Sequence, residues 1–431
     1  MNDAAENTLS REAENDLGVV AQSKWDRMLR RRLIDTLGTL RDCELTLVDA
    51  EDELTLGQPA SDASQTLRCT LRILDPSFYR AVAANGSVGA AEAYMDGAWH
   101  CDDLVALVRI LVRNRDLLDA LEAQGMARIG GWIMRTAHLF RRNTRSGSRR
   151  NIAAHYDLGN ELFKLFLDEN MMYSSAIFAS ADESLESASR RKLDRICRKL
   201  ELSPQTSVVE IGTGWGGFAL HAAGQYGCHV TTTTISREQH ELAQRRIQEA
   251  GLGDRVTLLL QDYRALQGQF DRVVSIEMVE AIGHQYLDGY FRKVAELLTP
   301  DGSALIQAIT IEDHRYEQAL HSVDFIKRYI FPGSFIPCVN ALVASAAKTD
   351  LRLFNLEDIG PSYALTLHHW RQRFLARRAE VRKLGYPDRF IRMWEFYLAY
   401  CEGGFIERAL GDVHLLFTRP LCRRAEWLPE A

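Results

Sequence analysis

Apolar and polar positions change rhythm along the chain. "CELTLVDAEDELTLG" (43–57) and "LRCTLRILD" (67–75) alternate apolar with polar residues, the period of two expected of short strands. The stretch 76–125 then reads as helices broken at glycine. After residue 151 five apolar or β-branched runs follow, "SVVEIG", "HVTTTT", "RVTLLLQD", "FDRVVSIEMV" and "SALIQAITI", separated by four helical stretches. Such alternation predicts an α/β fold built on a parallel, doubly wound sheet. "RLFNLEDIG" and "DVHLLFTRP" add two late strands. The amphipathic helices between them, 363–384 and 388–410, are expected to cover the sheet. The chain divides into a smaller mixed α/β domain (1–125), a linker (126–150) and a larger domain (151–431), with the first ~18 residues disordered.

Composition narrows the class. A net charge of −6 gives no overall reason to bind nucleic acid, and no run of about 18 apolar residues predicts a membrane span. The polar, acidic start is neither a signal nor a transit peptide. The eight cysteines form no CxxC pair, so neither a zinc site nor a disulfide framework is expected and a reducing cytoplasm fits. Against this acidic background, 127–151 holds seven arginines and no acid, interleaved with Trp132, Ile133, Met134, Leu139 and Phe140. It reads either as a solvated basic linker or as a surface for anionic lipid head groups.

Candidate chemistry begins at "VVEIGTGWGG". Gly212, Gly214 and Gly217 match G-x-G-x-x-G between a strand and a helix, where the backbone can approach a ligand and a helix N-terminus offers free N–H groups. Glu210, inside the strand, suits an ammonium or sulfonium better than a pyrophosphate. The second strand ends "TTTTIS", without the acid that a dinucleotide fold uses on its ribose. The third ends in Gln261, Asp262 and Tyr263, an amide, an acid and an aromatic able to bracket adenine. S-adenosylmethionine therefore ranks above NAD or FAD.

With those residues in hand, the chain resembles the cyclopropane fatty acid synthase family over about residues 70–420. The blocks "HYDLGNELFKLFLDENMMYSSAIF", "EIGTGWGG", "TISREQ", "LLQDYR", "FDRVVSIEMVEAIG", "RYIFPG" and "YALTLHHWRQRF" carry the resemblance, in the family's order. It implies a Rossmann-like class I methyltransferase sheet with helical lid insertions. It also implies a cofactor site in which Tyr156, Tyr173 and Ser174 hold the methionine end, Gly212 and Gly214 lie against it, Thr234 and Gln239 meet the ribose, and Asp262 and Tyr263 flank the adenine with help from Gln261. A bicarbonate base would sit among Ser175, Glu280, Gln307, the backbone of Ile309, and Tyr363. Two of these depart from the family's usual pattern: serine stands at 175 for cysteine, and glutamine at 307 for histidine. A glutamine amide can donate to an anion but takes up no proton near neutral pH. "SIEMVEAIG" also contains Glu277, and either acid could be a capping or surface group; the motif favours Glu280 for the pocket.

The reaction so implied is methyl transfer to a cis double bond of a phospholipid acyl chain, then proton loss and ring closure. The alternatives are a methyl-branched or methylene product, or a lipid-binding protein without catalysis. The resemblance also implies a homodimer. Peripheral contact with the inner face of the membrane is expected, and no metal.

Overall fold

The computed structural model describes residues 23–122 and 158–424, which fall into two compact units. Tyr156 and the basic segment 127–151 lie outside the described residues.

In the first unit, β1 (Cys43–Val48) pairs with β2 (Glu53–Leu56) as a hairpin and with β3 (Leu67–Ile73) in parallel, and β4 (Trp99–Cys101) completes the sheet against β3. Alternation sends Leu45, Leu47, Leu71 and Ile73 inward. The helix Ser77–Met95 is interrupted at Gly86, whose φ of 55° leaves the helical region. The break falls at glycine because that residue adopts positive φ without steric cost.

The second unit is a seven-stranded sheet. Its strands are β5 (Ser207–Ile211), β6 (His229–Thr234), β7 (Val256–Leu260), β8 (Phe270–Ile276), β9 (Leu298–Ile311), β10 (Arg352–Asp358) and β11 (Leu410–Thr418). They lie in the order β10-β11-β9-β8-β5-β6-β7. β7, β6, β5, β8 and β9 are mutually parallel, and β11 runs antiparallel to both β9 and β10. All seven predicted strands are present. Of the four expected helical separators, the one between β7 and β8 is only a 3-10 turn, Tyr263–Ala265. Too few residues join those strands for an α-helix to form and return.

Both faces of the sheet are covered. Val208, Val230, Val256 and Val274 pack against α1 (Leu185–Lys199) and α2 (Gly217–Tyr226). Val209, Ile211 and Val273 pack on the other side against Tyr290, Phe291 and Val294 of α3 (Leu287–Leu297). Each such buried aliphatic or aromatic contributes about 1.5–3 kcal/mol. Two long helices, α4 (Gly360–Ala376) and α5 (Asp388–Ile406), pack on one another. Their Trp370, Phe374 and Trp394 meet Phe163 and Phe166 in an aromatic cluster.

Strand order reverses at β5, whose successors lie to opposite sides. That is the topological switch point where doubly wound sheets open a ligand crevice beyond their carboxyl ends.

Candidate active site

A cleft sits at that switch point, lined by the ends of β5, β6, β7 and β8 and by Met171–Ser174. Gly212 has φ 102° and Gly214 φ 52°. A side chain at 214 would meet nothing within 4 Å, so the backbone there is bare toward open space. The turn is held by Gly212 and Thr213, which both donate to the Thr233 carbonyl (3.1 and 3.0 Å). Thr234 Oγ1 bonds Gln239 Oε1 at 2.8 Å, and both residues line the cleft. Gln261, Asp262 and Tyr263 line it too, with Asp262 gripped in a fork by Arg264 (2.8 and 2.6 Å) and Tyr263 edge-on to Tyr290. Tyr173 lies against Trp370 at 5.2 Å, and its hydroxyl meets that of Tyr397 at 2.9 Å. Ser174 Oγ accepts from Lys192 Nζ at 2.8 Å. The structure thus brings the predicted cofactor residues together, Tyr156 excepted.

Glu210 is buried at the cleft and accepts from Thr232 Oγ1 at 2.6 Å. Burial pushes its carboxyl up to about 8. A cationic ligand beside it favours the ionised form, so binding below that pH expels a proton. Affinity for S-adenosylmethionine should therefore rise as pH climbs toward about 8, by up to about tenfold per unit, and level off above. Without ligand the sign is opposite. The folded chain holds a proton that the unfolded chain, with the ordinary value of 4.5, has released, so this group's contribution to stability falls between about 4.5 and 8. Calorimetric titration at pH 7 in buffers of different ionisation enthalpy should show close to one proton released, and none for Glu210→Gln. Equal, buffer-independent heats for both proteins would refute this.

Deeper in, the anion pocket differs from expectation. The donors expected to hold bicarbonate converge on a side chain of the protein, Glu277. Its Oε1 accepts from the Ser175 backbone N–H (2.8 Å) and Gln307 Nε2 (2.8 Å), and its Oε2 from the Tyr363 hydroxyl (2.8 Å). The second proton of Gln307 Nε2 goes to Asp412 Oδ2 at 2.9 Å. The Ile309 N–H goes to Glu280 Oε1 at 2.6 Å. The Ser175 hydroxyl turns away and donates to the Ala176 carbonyl. The Ser175 and Ile309 N–H groups, the Gln307 amide and the Tyr363 hydroxyl are thereby each engaged with a group of the protein, while Glu280 Oε2 is buried without a hydrogen-bond partner. With the Glu277 carboxylate standing where the donors converge, the residues present do not fit a bicarbonate there. The sequence reading placed the acid of this pocket at Glu280. Glu280 is close by, but Glu277 holds the centre and lines the cleft.

Glu277 directly follows β8 and has φ 47°, a region an L residue rarely enters. Its N–H donates to the Gln307 carbonyl, which fixes the turn. Three residues outside the predicted set complete the surroundings. Asp412 and His414 stand on β11, in register with Ile309 and Gln307. Lys192, fully buried on α1, sends its positive field toward Glu277, Asp168, Asp412 and Glu210. His414 Nε2 faces Gln307 Oε1 at 3.2 Å and its Nδ1 faces Lys199 Nζ at 3.4 Å. This pairing orients the amide so that its nitrogen points at the carboxylates. Burial, reinforced by Lys199, holds the His414 imidazole neutral, well below its usual range. Burial raises Glu277, Glu280 and Asp412 alike, Glu280 to about 8. At Glu277 the three donors and the field of Lys192 oppose that rise, whereas at Asp412 the neighbouring Glu277 carboxylate adds to it. The position of Glu277 at the carboxyl end of a switch-point strand was the available signal in the sequence.

The sequence pattern of the mycolic acid cyclopropane synthetase family matches residues 143–415. The chain belongs to that family. It is 38% identical over 352 residues to the cyclopropane-fatty-acyl-phospholipid synthase of Escherichia coli, covering 81% of this chain and 87% of that protein. It is 40% identical over 338 residues to the tuberculostearic acid methyltransferase of Mycobacterium tuberculosis, covering 76% and 77%. Among solved structures, a cyclopropane synthase from Mycobacterium tuberculosis superposes with a TM-score of 0.59 at 28% identity, over 63% of this chain and 98% of that one. A mycolic acid cyclopropane synthase complexed with SAH and CTAB gives 0.59 at 27%, over 63% and 98%. The family accounts for the switch-point cleft with its acid and bare glycine turn.

Proposed function

We propose that this protein is an S-adenosylmethionine-dependent cyclopropane synthase acting on the cis double bond of an unsaturated acyl chain in membrane phospholipid. The observation that carries the reading is the switch-point cleft, lined by Glu210 and the glycine turn, opening onto a buried, donor-ringed carboxylate. When bound, S-adenosylmethionine supplies a methyl group electrophilic enough for an olefin to attack. Glu210 balances the ligand's positive charge, and the bare backbone at Gly214, beside Gly212, admits the methionine end near Tyr173 and Ser174. Thr234 and Gln239 suit a ribose, and Gln261, Asp262 and Tyr263 an adenine. The aromatic wall around Tyr173 excludes water and can face a developing cation. No step is assigned to bicarbonate.

Among the described residues, no helix is long and apolar enough to cross a membrane. The reading places the enzyme in the cytoplasm as a homodimer, with the arginines of 127–151 holding it to anionic lipid at about 1 kcal/mol each. Neutralising Arg141, Arg142, Arg149 and Arg150 should cut activity on anionic vesicles more than on detergent-dispersed lipid. Equal loss on both would remove the membrane role.

The deciding experiment incubates the protein with S-adenosylmethionine and cis-unsaturated phospholipid vesicles and reads the acyl products by proton NMR. An upfield ring-methylene signal is expected. Vinylic or branched-methyl signals would make the enzyme a fatty-acyl methyltransferase, the activity named for the Mycobacterium tuberculosis relative.

A further inference from the structure

We propose that Glu277 is the enzyme's built-in base, so that catalysis needs no bicarbonate. This rests on the function proposed above. Three donors converge on the Glu277 carboxylate, and the same side chain lines the cleft together with Glu210, Gly212, Gly214 and Tyr173. The donors fix the carboxylate and leave none of themselves for a second anion, since both protons of Gln307 Nε2 are committed. A bicarbonate placed there would also meet the negative charge of Glu277 at van der Waals distance.

The chemistry balances with this group alone. The olefin's π pair forms a bond to the methyl carbon as the carbon–sulfur bond breaks, and S-adenosylhomocysteine leaves with that electron pair. The neighbouring acyl carbon becomes cationic. A C–H bond of the added methyl then gives its proton to Glu277, and its electron pair closes the ring. Before the next turnover the proton passes from Glu277 to solvent. Nearby Glu280 has one oxygen on the Ile309 N–H and the other buried without a hydrogen-bond partner, and it does not line the cleft, so its part in the reaction passes through Glu277.

The test compares the wild type, Glu277→Gln and Glu277→Gly with and without bicarbonate, in CO2-stripped buffer. The glycine variant suits the positive φ of this position and empties the pocket without straining the turn. Calorimetric binding of S-adenosylmethionine reports whether each variant is folded. The wild type should turn over at the same rate in both buffers, and Glu277→Gln should lose about 10²–10³-fold in kcat with its cofactor affinity kept. Glu277→Gly should lose as much but regain activity as bicarbonate is added. Independently of turnover, carbon-13-labelled bicarbonate should show NMR line broadening with Glu277→Gly and none with the wild type. The proposal is overturned by a wild type whose rate falls on CO2 stripping and returns saturably with bicarbonate. It is equally overturned by a folded Glu277→Gln with unchanged kcat. If the wild type yields no acyl product under either condition while still binding cofactor, the functional reading itself fails, a result distinct from both.

Discussion

Lys192→Met will lower kcat by about 10²–10³-fold at pH 7, and part of the loss will return as pH rises. Lys192 is fully buried, with its ammonium on Ser174 Oγ and facing Glu277, Asp168, Asp412 and Glu210. Burial pulls it down to about 8, so it is still charged at neutral pH. Removing one partner from a buried charge cluster typically costs about 3–5 kcal/mol, unless the stranded partner neutralises itself. Glu277 has that escape: it takes a proton, and a protonated carboxyl accepts none from substrate. The lost cation raises the pH at which Glu277 ionises, which is why alkaline solution restores part of the rate. The check is a pH profile of kcat for both proteins, its acidic limb displaced upward in the variant. An unshifted profile with unchanged kcat would show that the cation does not act on Glu277.

Trp394→Ala will have the larger effect on stability, about 3–5 kcal/mol in urea unfolding, with little change in the slope. Trp394 has no exposed surface and meets Phe163, Phe166, Phe374 and Tyr397 at ring-centroid distances of 5.5–6.0 Å. No single side-chain motion can fill such a hole. Phe163 and Phe166 also flank Tyr173, at 5.3 and 6.3 Å. The cofactor KM should therefore rise even where the variant remains folded. A loss below 1 kcal/mol would mean that the cluster repacks.

The fold was legible because its strands are apolar, short and punctuated by glycine. Val208–Ile211, followed at once by Gly212, reads as a buried strand entering a ligand turn in any parallel sheet. The 3-10 turn after β7 was not legible, since "DYRALQG" carries helix-forming residues and only its length forbids the helix. Cofactor residues were legible because they sit next to strand ends, where local order dictates place. Lys192, Asp412 and His414 were hidden for the opposite reason. They lie on elements far from the pocket in the chain, and only the packing of α1 and the register of β11 on β9 bring them in. Of Glu277 and Glu280, two acids three residues apart, the family pattern favoured Glu280, and only the strand-end position of Glu277 spoke for the other. The left-handed turn at Glu277 settled it by aiming that side chain into the cleft.

That turn has a bearing on how such enzymes diverge. A glutamate held at φ 47° gives up about 1–2 kcal/mol that glycine would not, so the backbone itself favours losing the side chain. Glutamate and glycine codons differ by a single base. Under the base role proposed for Glu277, one mutation exchanges an internal base for an anion-binding pocket, the relieved backbone strain opposing the cost of leaving the donors of Ser175, Gln307 and Tyr363 without their partner until an anion fills it. The two mechanisms are then neighbours in sequence space, and a lineage can cross between them without passing through an unfolded intermediate.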